Sequence, residues 1–363
     1  MKQIILKHLN NKQRDCTIFI GSNIMEKIGS ICDLSNYSKI FIITDKNVEP
    51  LFLKTIVSAL PIKTNSIVLS SGEKEKHINS VQKIWTAMHD VQYDRKSLVI
   101  NLGGGVISDM GGFAASTFMR GLDFLNIPTT LLAQVDASIG GKTGIDFFGI
   151  KNLIGTFSQP VTVIIDMQTL STLPKREFIS GFAEIIKYGL IKDKKYFDKV
   201  TSKHPLKFTS DEIIDIVAES CQIKVDIVQN DETENNTRKI LNFGHTVGHA
   251  IESLSLETSS PLLHGEAISI GMLAEAKISH YMNLLSTSDV ELVRQVLTNA
   301  ELPVSITGIE TEDVLKKMKS DKKNEKGIVH FTLLHGIGTA LYNQNVSASV
   351  MIEVIENITK KSL

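Results

Sequence analysis

Residues 98–116 read LVINLGGGVISDMGGFAAS. An apolar, β-branched run from Leu98 to Leu102 meets three consecutive glycines, Gly103, Gly104 and Gly105, and then a helix-like stretch of small and apolar residues. A strand that turns this tightly into a helix leaves backbone N–H groups free to meet a pyrophosphate on the helix dipole. Dinucleotide binding is the functional reading. The spacing is not GxGxxG, so a plain tight turn stands beside it. Outward from this stretch, the β-rich runs KIFIITD (39–45), NSIVLSS (65–71), DFLNIPTT (123–130) and VTVIIDM (161–167) alternate with helical segments. That rhythm predicts a parallel α/β sheet, and ligands of such sheets collect beyond the carboxyl ends of the strands. Asp45 ends one run and Thr129 and Thr130 end another, where each serves either a ligand or a helix cap.

A chain of 363 residues exceeds what one core usually supports, so two domains are expected. After TLSTLPKREF (169–178) amphipathic stretches follow one another with little strand signal. The reading is an α/β domain over 1–173 and a mostly helical domain over 174–363. Hydrophobic residues make up 42% and charged residues 22%, with 39 basic against 40 acidic side chains. That balance gives no general field for nucleic acid or an anionic membrane, so an anionic ligand must find local cations. Cys16, Cys32 and Cys221 form no CxxC pair, and no segment reads as a signal peptide or a membrane span, so a cytoplasmic protein is expected.

Three motifs supply those cations and a set of metal donors. QVDASIGGKTGIDFFGIKNLIG (134–155) places Asp136, Lys142, Lys151 and Asn152 among glycines and small residues, fitting a phosphorylated or carboxylated ligand as well as a solvated loop. In GFAEIIKYGL (181–190), Glu184 and Lys187 share a helical face in an apolar segment, either as a simple ion pair or as part of a site. LNFGHTVGHAIE (241–252) carries His245 and His249 at i, i+4 spacing, and LLHGEA (262–267) adds His264 beside Glu266. Three histidines and a glutamate suit a zinc-like ion, and spacing alone favours the His245 and His249 pair as ligands.

GGGVISDMGGFAAS, RGLDFLNIPTTLLAQVDASIGGKTGID, KNLIGTF, GFAEIIKYGLI, NDETENNTRKILNFGHTVGHAIE, HGEAISIGM and SDKKNEKG occur in this order. Together they resemble the 3-dehydroquinate synthase family over nearly the whole chain. The resemblance implies an NAD-binding α/β domain, a helical domain carrying zinc or cobalt, a homodimer, and an active site in the cleft between the domains. It implies Glu184, His245 and His264 as metal ligands, which moves His249 from the metal to the substrate. Cofactor contacts implied are Asp45, Glu73, Lys76, Gly104, Gly105, Val106 and Asp109, then Thr129, Thr130, Lys142, Lys151 and Thr172. For the substrate it implies Asp136, Lys142, Asn152, Lys187, Lys224, Arg238, Asn242 and His249, with Arg120 reaching the phosphate across the dimer and one of Lys322 and Lys323 joining it. The implied activity, in the shikimate pathway, converts 3-deoxy-arabino-heptulosonate 7-phosphate to 3-dehydroquinate and phosphate. It uses transient oxidation by NAD, phosphate elimination, re-reduction and an intramolecular aldol closure. Two positions depart from the family pattern. Ser108 stands where glycine is common, and Ser71 precedes Gly72 and Glu73 in place of proline or aspartate. Other sugar phosphate cyclases and glycerol dehydrogenase-type polyol dehydrogenases are the rival readings, followed by a binding protein that keeps the fold without catalysis.

Overall fold

The computed structural model describes residues 1–7, 15–319 and 329–359, so Lys322 and Lys323 lie outside the described residues. The chain forms two compact units, Met1–Pro174 with Ile213–Glu232, and Lys175–Glu212 with Thr233–Leu363.

The first unit is built on strands β1 (Lys2–Leu6), β2 (Cys16–Gly21), β3 (Ile40–Asp45), β4 (Thr64–Leu69), β5 (Leu98–Gly103), β6 (Asp123–Pro128), β7 (Lys142–Phe147), β8 (Ile150–Phe157) and β9 (Thr162–Asp166). Seven of them make one sheet in the order β1-β2-β9-β6-β5-β3-β4. Every pair is parallel except β1 with β2. The run IFIITD of β3 is buried throughout because its side chains alternate between two covered faces. Ile40 and Ile42 join a core with Leu98, Ile100, Leu125, Ile127 and Ile164, while Phe41 and Ile43 join one with Val99, Ile107, Met110 and Phe113. Each such isoleucine contributes about 1.5–3 kcal/mol of burial free energy. The helices of this unit are α1 (Ile28–Ile31), α2 (Lys54–Ala59), α3 (Ile78–Asp90) and α4 (Gly105–Thr117). The chain steps outward from β3 to β4, then returns past β3 to β5, so the winding reverses between β3 and β5. The carboxyl ends at that switch are Asp45 and Gly103, where ligands of open α/β sheets bind.

The lysine-bearing part of the stretch 134–155 is not a loop. Lys142–Phe147 and Ile150–Phe157 pair as an antiparallel hairpin, with Gly144 facing Gly155. Strands β1 and β2 were likewise not signalled by the run of β-rich segments that begins at Lys39.

The second unit carries α5 (Lys175–Lys192), α6 (Lys194–Val200), α8 (His245–Ser255), α9 (His264–Tyr281), α10 (Thr287–Asn299), α11 (Thr311–Lys319) and α12 (Ala348–Thr359), while α7 (Ser210–Asn230) lies mostly in the first unit. Its one hairpin among the described residues is β10 (His330–Leu334) with β11 (Ala340–Asn345). Val247 and Ile251 of α8 pack with Ala267, Ile270 and Ala274 of α9, and with Val314, Phe331 and Ile355, as its core. No described helix is long and apolar enough to cross a membrane.

Candidate active site

Helices α5, α8 and α9 bring three donor groups together in the second unit. Glu184 lies in the middle of α5, where Ile179 to Ile191 are all buried, and its carboxylate is itself fully buried. Neither carboxylate oxygen accepts a hydrogen bond of good geometry. The Lys187 ammonium, one turn on, touches Oε2, while the Nε2 atoms of His245 and His264 each stand 3.7 Å from Oε1. His245 is the first residue of α8 and His264 the first of α9, so both rings hang from helix starts.

The backbone explains how those starts are fixed. Gly244 adopts φ +81°, a left-handed conformation that glycine takes without cost, and it turns the chain into α8. Glu275 of α9, fully buried, accepts hydrogen bonds from Gly244 N (2.6 Å) and Val247 N (3.3 Å), satisfying orphan donors of the α8 first turn. At the α9 start, Gly265 N donates to Ser180 Oγ, and a Cβ on Gly265 would fall 1.8 Å from the Ser180 carbonyl oxygen. The ring nitrogens facing away from Glu184 are also engaged. His245 Nδ1 lies 3.1 Å from Phe243 O, and His264 Nδ1 lies 3.4 Å from Glu252 Oε2.

Tetrahedral donors about 2.0–2.2 Å from a zinc-like ion lie about 3.3 Å from one another. The 3.7 Å separations of Glu184 from the two imidazoles therefore need only small adjustments to close on an ion. Electrostatics point the same way. Burial by itself pushes the His264 imidazolium down, yet Glu252 and Glu184 outweigh it and hold the ring at about 10. A second donor group, His249, Glu252 and His264, shares His264 with the first. His249 is 5.0 Å from His245, ring to ring, beside the donors. Of the substrate residues expected in this unit, Lys187 and Arg238 are buried, and Asn242 Nδ2 donates to Glu234 Oε1 at 2.8 Å. Glu234 was not singled out in the sequence; its φ of +61° marks a constrained turn before Arg238.

In the first unit the carboxyl edge of the sheet gathers most of the remaining candidates. A Cβ on Gly104 would meet the Thr130 side chain, and one on Gly105 would meet Ala137, so the glycines admit a close approach of the two loops. Thr44, Ser108 and Thr129 bury their hydroxyls beside this turn without a hydrogen-bond partner. Asp45 accepts from Asn47 N and Val48 N, and burial raises its pKa against those bonds. Thr130 Oγ1 accepts from Ala133 N, and Thr172 Oγ1 donates to Thr169 O. Val106 packs on the core beside Ile107.

Lys76, 4% exposed, meets Asp109 at 2.6 Å, and Lys151 meets Glu73 at 3.2 Å. Burial works against the Lys76 ammonium, but Asp109 and Glu73 outweigh it and keep it charged. Lys224 of α7, buried, donates to Asp136 Oδ1 and to Asp136 O, each at 2.6 Å. Lys142 and Asn152 sit on the exposed β7–β8 hairpin, where Asn152 N donates to Asp146 Oδ1. Arg120 is exposed, in a run of three positive-φ residues with Met119 and Gly121. The serine at position 108 is accommodated in α4 at 2% exposure.

Comparison with known proteins accounts for both halves. Residues 66–180 match the model of the 3-dehydroquinate synthase N-terminal domain, and residues 181–324 match that of the C-terminal domain. The 3-dehydroquinate synthase of Ruminiclostridium cellulolyticum is 42% identical over 340 residues, covering 92% of this chain and 94% of that protein. Among solved structures, a 2-deoxy-scyllo-inosose synthase complexed with carbaglucose-6-phosphate, NAD+ and Co2+ superposes with a TM-score of 0.87 at 25% identity, covering 98% of this chain and 99% of that one. A 2-epi-5-epi-valiolone synthase from Streptomyces hygroscopicus with NAD+ and Zn2+ bound gives 0.86 at 26% identity, covering 97% and 98%. Matched over both domains by the family models and at 42% identity along its length, this chain belongs to the 3-dehydroquinate synthase family.

Proposed function

We propose that the chain converts 3-deoxy-arabino-heptulosonate 7-phosphate to 3-dehydroquinate and phosphate, with NAD and a zinc or cobalt ion as cofactors. The observation that carries this reading is the chain-long identity of 42% to a curated 3-dehydroquinate synthase, against 25% to an inosose synthase of the same fold. Glu184, His245 and His264 are the proposed metal ligands. They fit because a fully buried carboxylate with no hydrogen bond of its own faces two imidazole nitrogens. The Gly103–Gly105 turn with Asp45, Glu73, Lys76, Asp109, Thr129, Thr130, Lys151 and Thr172 is the proposed NAD site. It fits because partnerless buried hydroxyls surround a glycine cradle at the switch point of the sheet.

When bound, the metal supplies Lewis acidity and NAD a reversible hydride acceptor. The rest falls to the chain. Lys187, Lys224 and Arg238 offer buried positive charge to the carboxylate and phosphate of the substrate, and Asp136, Lys142, Asn152 and Asn242 orient its hydroxyls. His249 is the proposed proton carrier for the aldol closure, a role supported by its ring lying 5.0 Å from that of His245. The assembly is proposed as a homodimer in which Arg120 reaches the partner's substrate phosphate. Its exposure and its position in a constrained turn support that role. A cytoplasmic setting is supported by three free cysteines.

The test is phosphate release from 3-deoxy-arabino-heptulosonate 7-phosphate with catalytic NAD, followed with and without a chelator while NADH absorbance is monitored. Stoichiometric phosphate, no lasting NADH and loss of turnover on chelation are expected. Release only from a phosphorylated sugar without the carboxylate would reassign the chain to another cyclase. Net NADH accumulation would reassign it to a dehydrogenase.

A further inference from the structure

His245, His249 and Glu252 stand at i, i+4 and i+7 on α8 and so share one face of the helix. The two histidines are accounted for above, but Glu252 is not. It is an acid that is 5% exposed, in a helix whose other buried residues are apolar or small. Its Oε2 atom lies 3.4 Å from His264 Nδ1, on the side of the ring opposite the Nε2 that faces Glu184.

We propose that Glu252 is a positioning residue that fixes His264 with Nδ1 protonated and Nε2 presented to the metal, and that it sets the affinity of the site. The inference rests on the metal reading given above. An imidazole must offer an unprotonated nitrogen to a metal, so an acceptor on the far nitrogen selects the useful tautomer and locks ring rotation. Charge balance leads to the same place. With Glu184 already paired to the Lys187 ammonium, two neutral imidazoles leave the charge of a divalent ion uncompensated, and the Glu252 carboxylate offsets part of it across the ring. At His245 the Nδ1 atom lies by the Phe243 carbonyl instead, at a helix start capped by the Glu275 carboxylate.

The experiment measures zinc and cobalt affinity of the full chain by competition with a chromophoric chelator, together with the visible spectrum of the cobalt form. Wild type is compared with Glu252→Gln and Glu252→Ala. The expectation is about a 10- to 100-fold loss of affinity in Glu252→Ala. Glu252→Gln, which keeps an acceptor but not the charge, should fall between it and wild type, and the cobalt spectrum of both should shift. Should Glu252→Ala fail to fold, Glu252→Gln decides alone. Affinity within twofold of wild type and an unchanged cobalt spectrum in the folded variants would overturn the proposal while leaving the metal site standing. If wild type binds neither ion, the metal reading fails and this inference fails with it.

Discussion

Glu184 and Lys187 show how much one buried pair constrains. Both are essentially inaccessible to solvent, so neither charge can be left alone without a large desolvation cost. Glu184→Gln should lower the stability of the metal-free protein by about 3–5 kcal/mol, read as the urea midpoint, because it strands the Lys187 ammonium. Adding Lys187→Met to that variant should return much of the loss without restoring metal binding. No recovery of stability would mean that the pair is not coupled. The thiols make a second prediction. Burial pushes Cys16 and Cys221 up to about 12 from an ordinary 9.0. Between these values the native state keeps protons that the unfolded chain has lost, so the contribution is complete below pH 9 and declines as pH rises toward 12. The decline is about 1.4 kcal/mol per pH unit for each thiol. Cys221→Ala should therefore lose less stability than wild type between about pH 8.5 and about pH 10.5, as followed by urea denaturation; equal losses would refute the assignment. Sequence reading at this scale names residue types well and partners poorly. Spacing offered His245 with His249, and the folded chain adds Glu184 and His264 beside them, donors 61 and 19 residues from His245 in sequence. Glu252 and Glu275 escaped notice because an acid in an amphipathic helix reads as solvent-facing until its burial is known.

At the scale of elements, helix starts do the placing. His245 and His264 each open a helix, and a glycine beside each allows the approach that sets the ring. Gly265→Ala should push the first turn of α9 away from the Ser180 carbonyl, since the added Cβ would lie 1.8 Å from it. Stability should fall by about 1–3 kcal/mol, and metal affinity, measured by chelator competition, should fall with it. Retention of full affinity would show that the start of α9 is not what positions His264. The parallel strands could be read from their apolar runs because both faces are covered. The β7–β8 hairpin could not, since its glycines and lysines have the composition of a loop and only the cross-strand pairing, from Lys142 with Phe157 to Phe147 with Ile150, makes it a ribbon. The same limit hid β10 and β11, short strands inside a region of helical periodicity.

For the molecule as a whole, the proposed cofactors should act as stabilisers, because whatever binds only the native state raises its apparent stability. Zinc at 100 times its dissociation constant adds about 2.7 kcal/mol, so removing it with a chelator should lower the melting temperature of the second unit by about 5–10 °C. NAD should produce a separate rise by binding the first unit. A chain indifferent to both would match the non-catalytic reading. Order along the chain, apolar periodicity and the glycine turn were enough to give an α/β half followed by a helical half, because those signals are local and each strand or helix carries its own. The family could also be read from the sequence, through motifs whose residues match one by one. What needed the folded chain was non-local. Ile213–Glu232 packs with the α/β unit and brings Lys224 to Asp136, although nothing in its helical periodicity marks it as separate from its neighbours. The environment of Glu252 was equally beyond the sequence, whereas the apolar neighbours of Glu184 and Lys187 already marked that pair. A side chain's burial, and with it the need for a metal, a proton or an ion partner, depends on which distant helices pack around it.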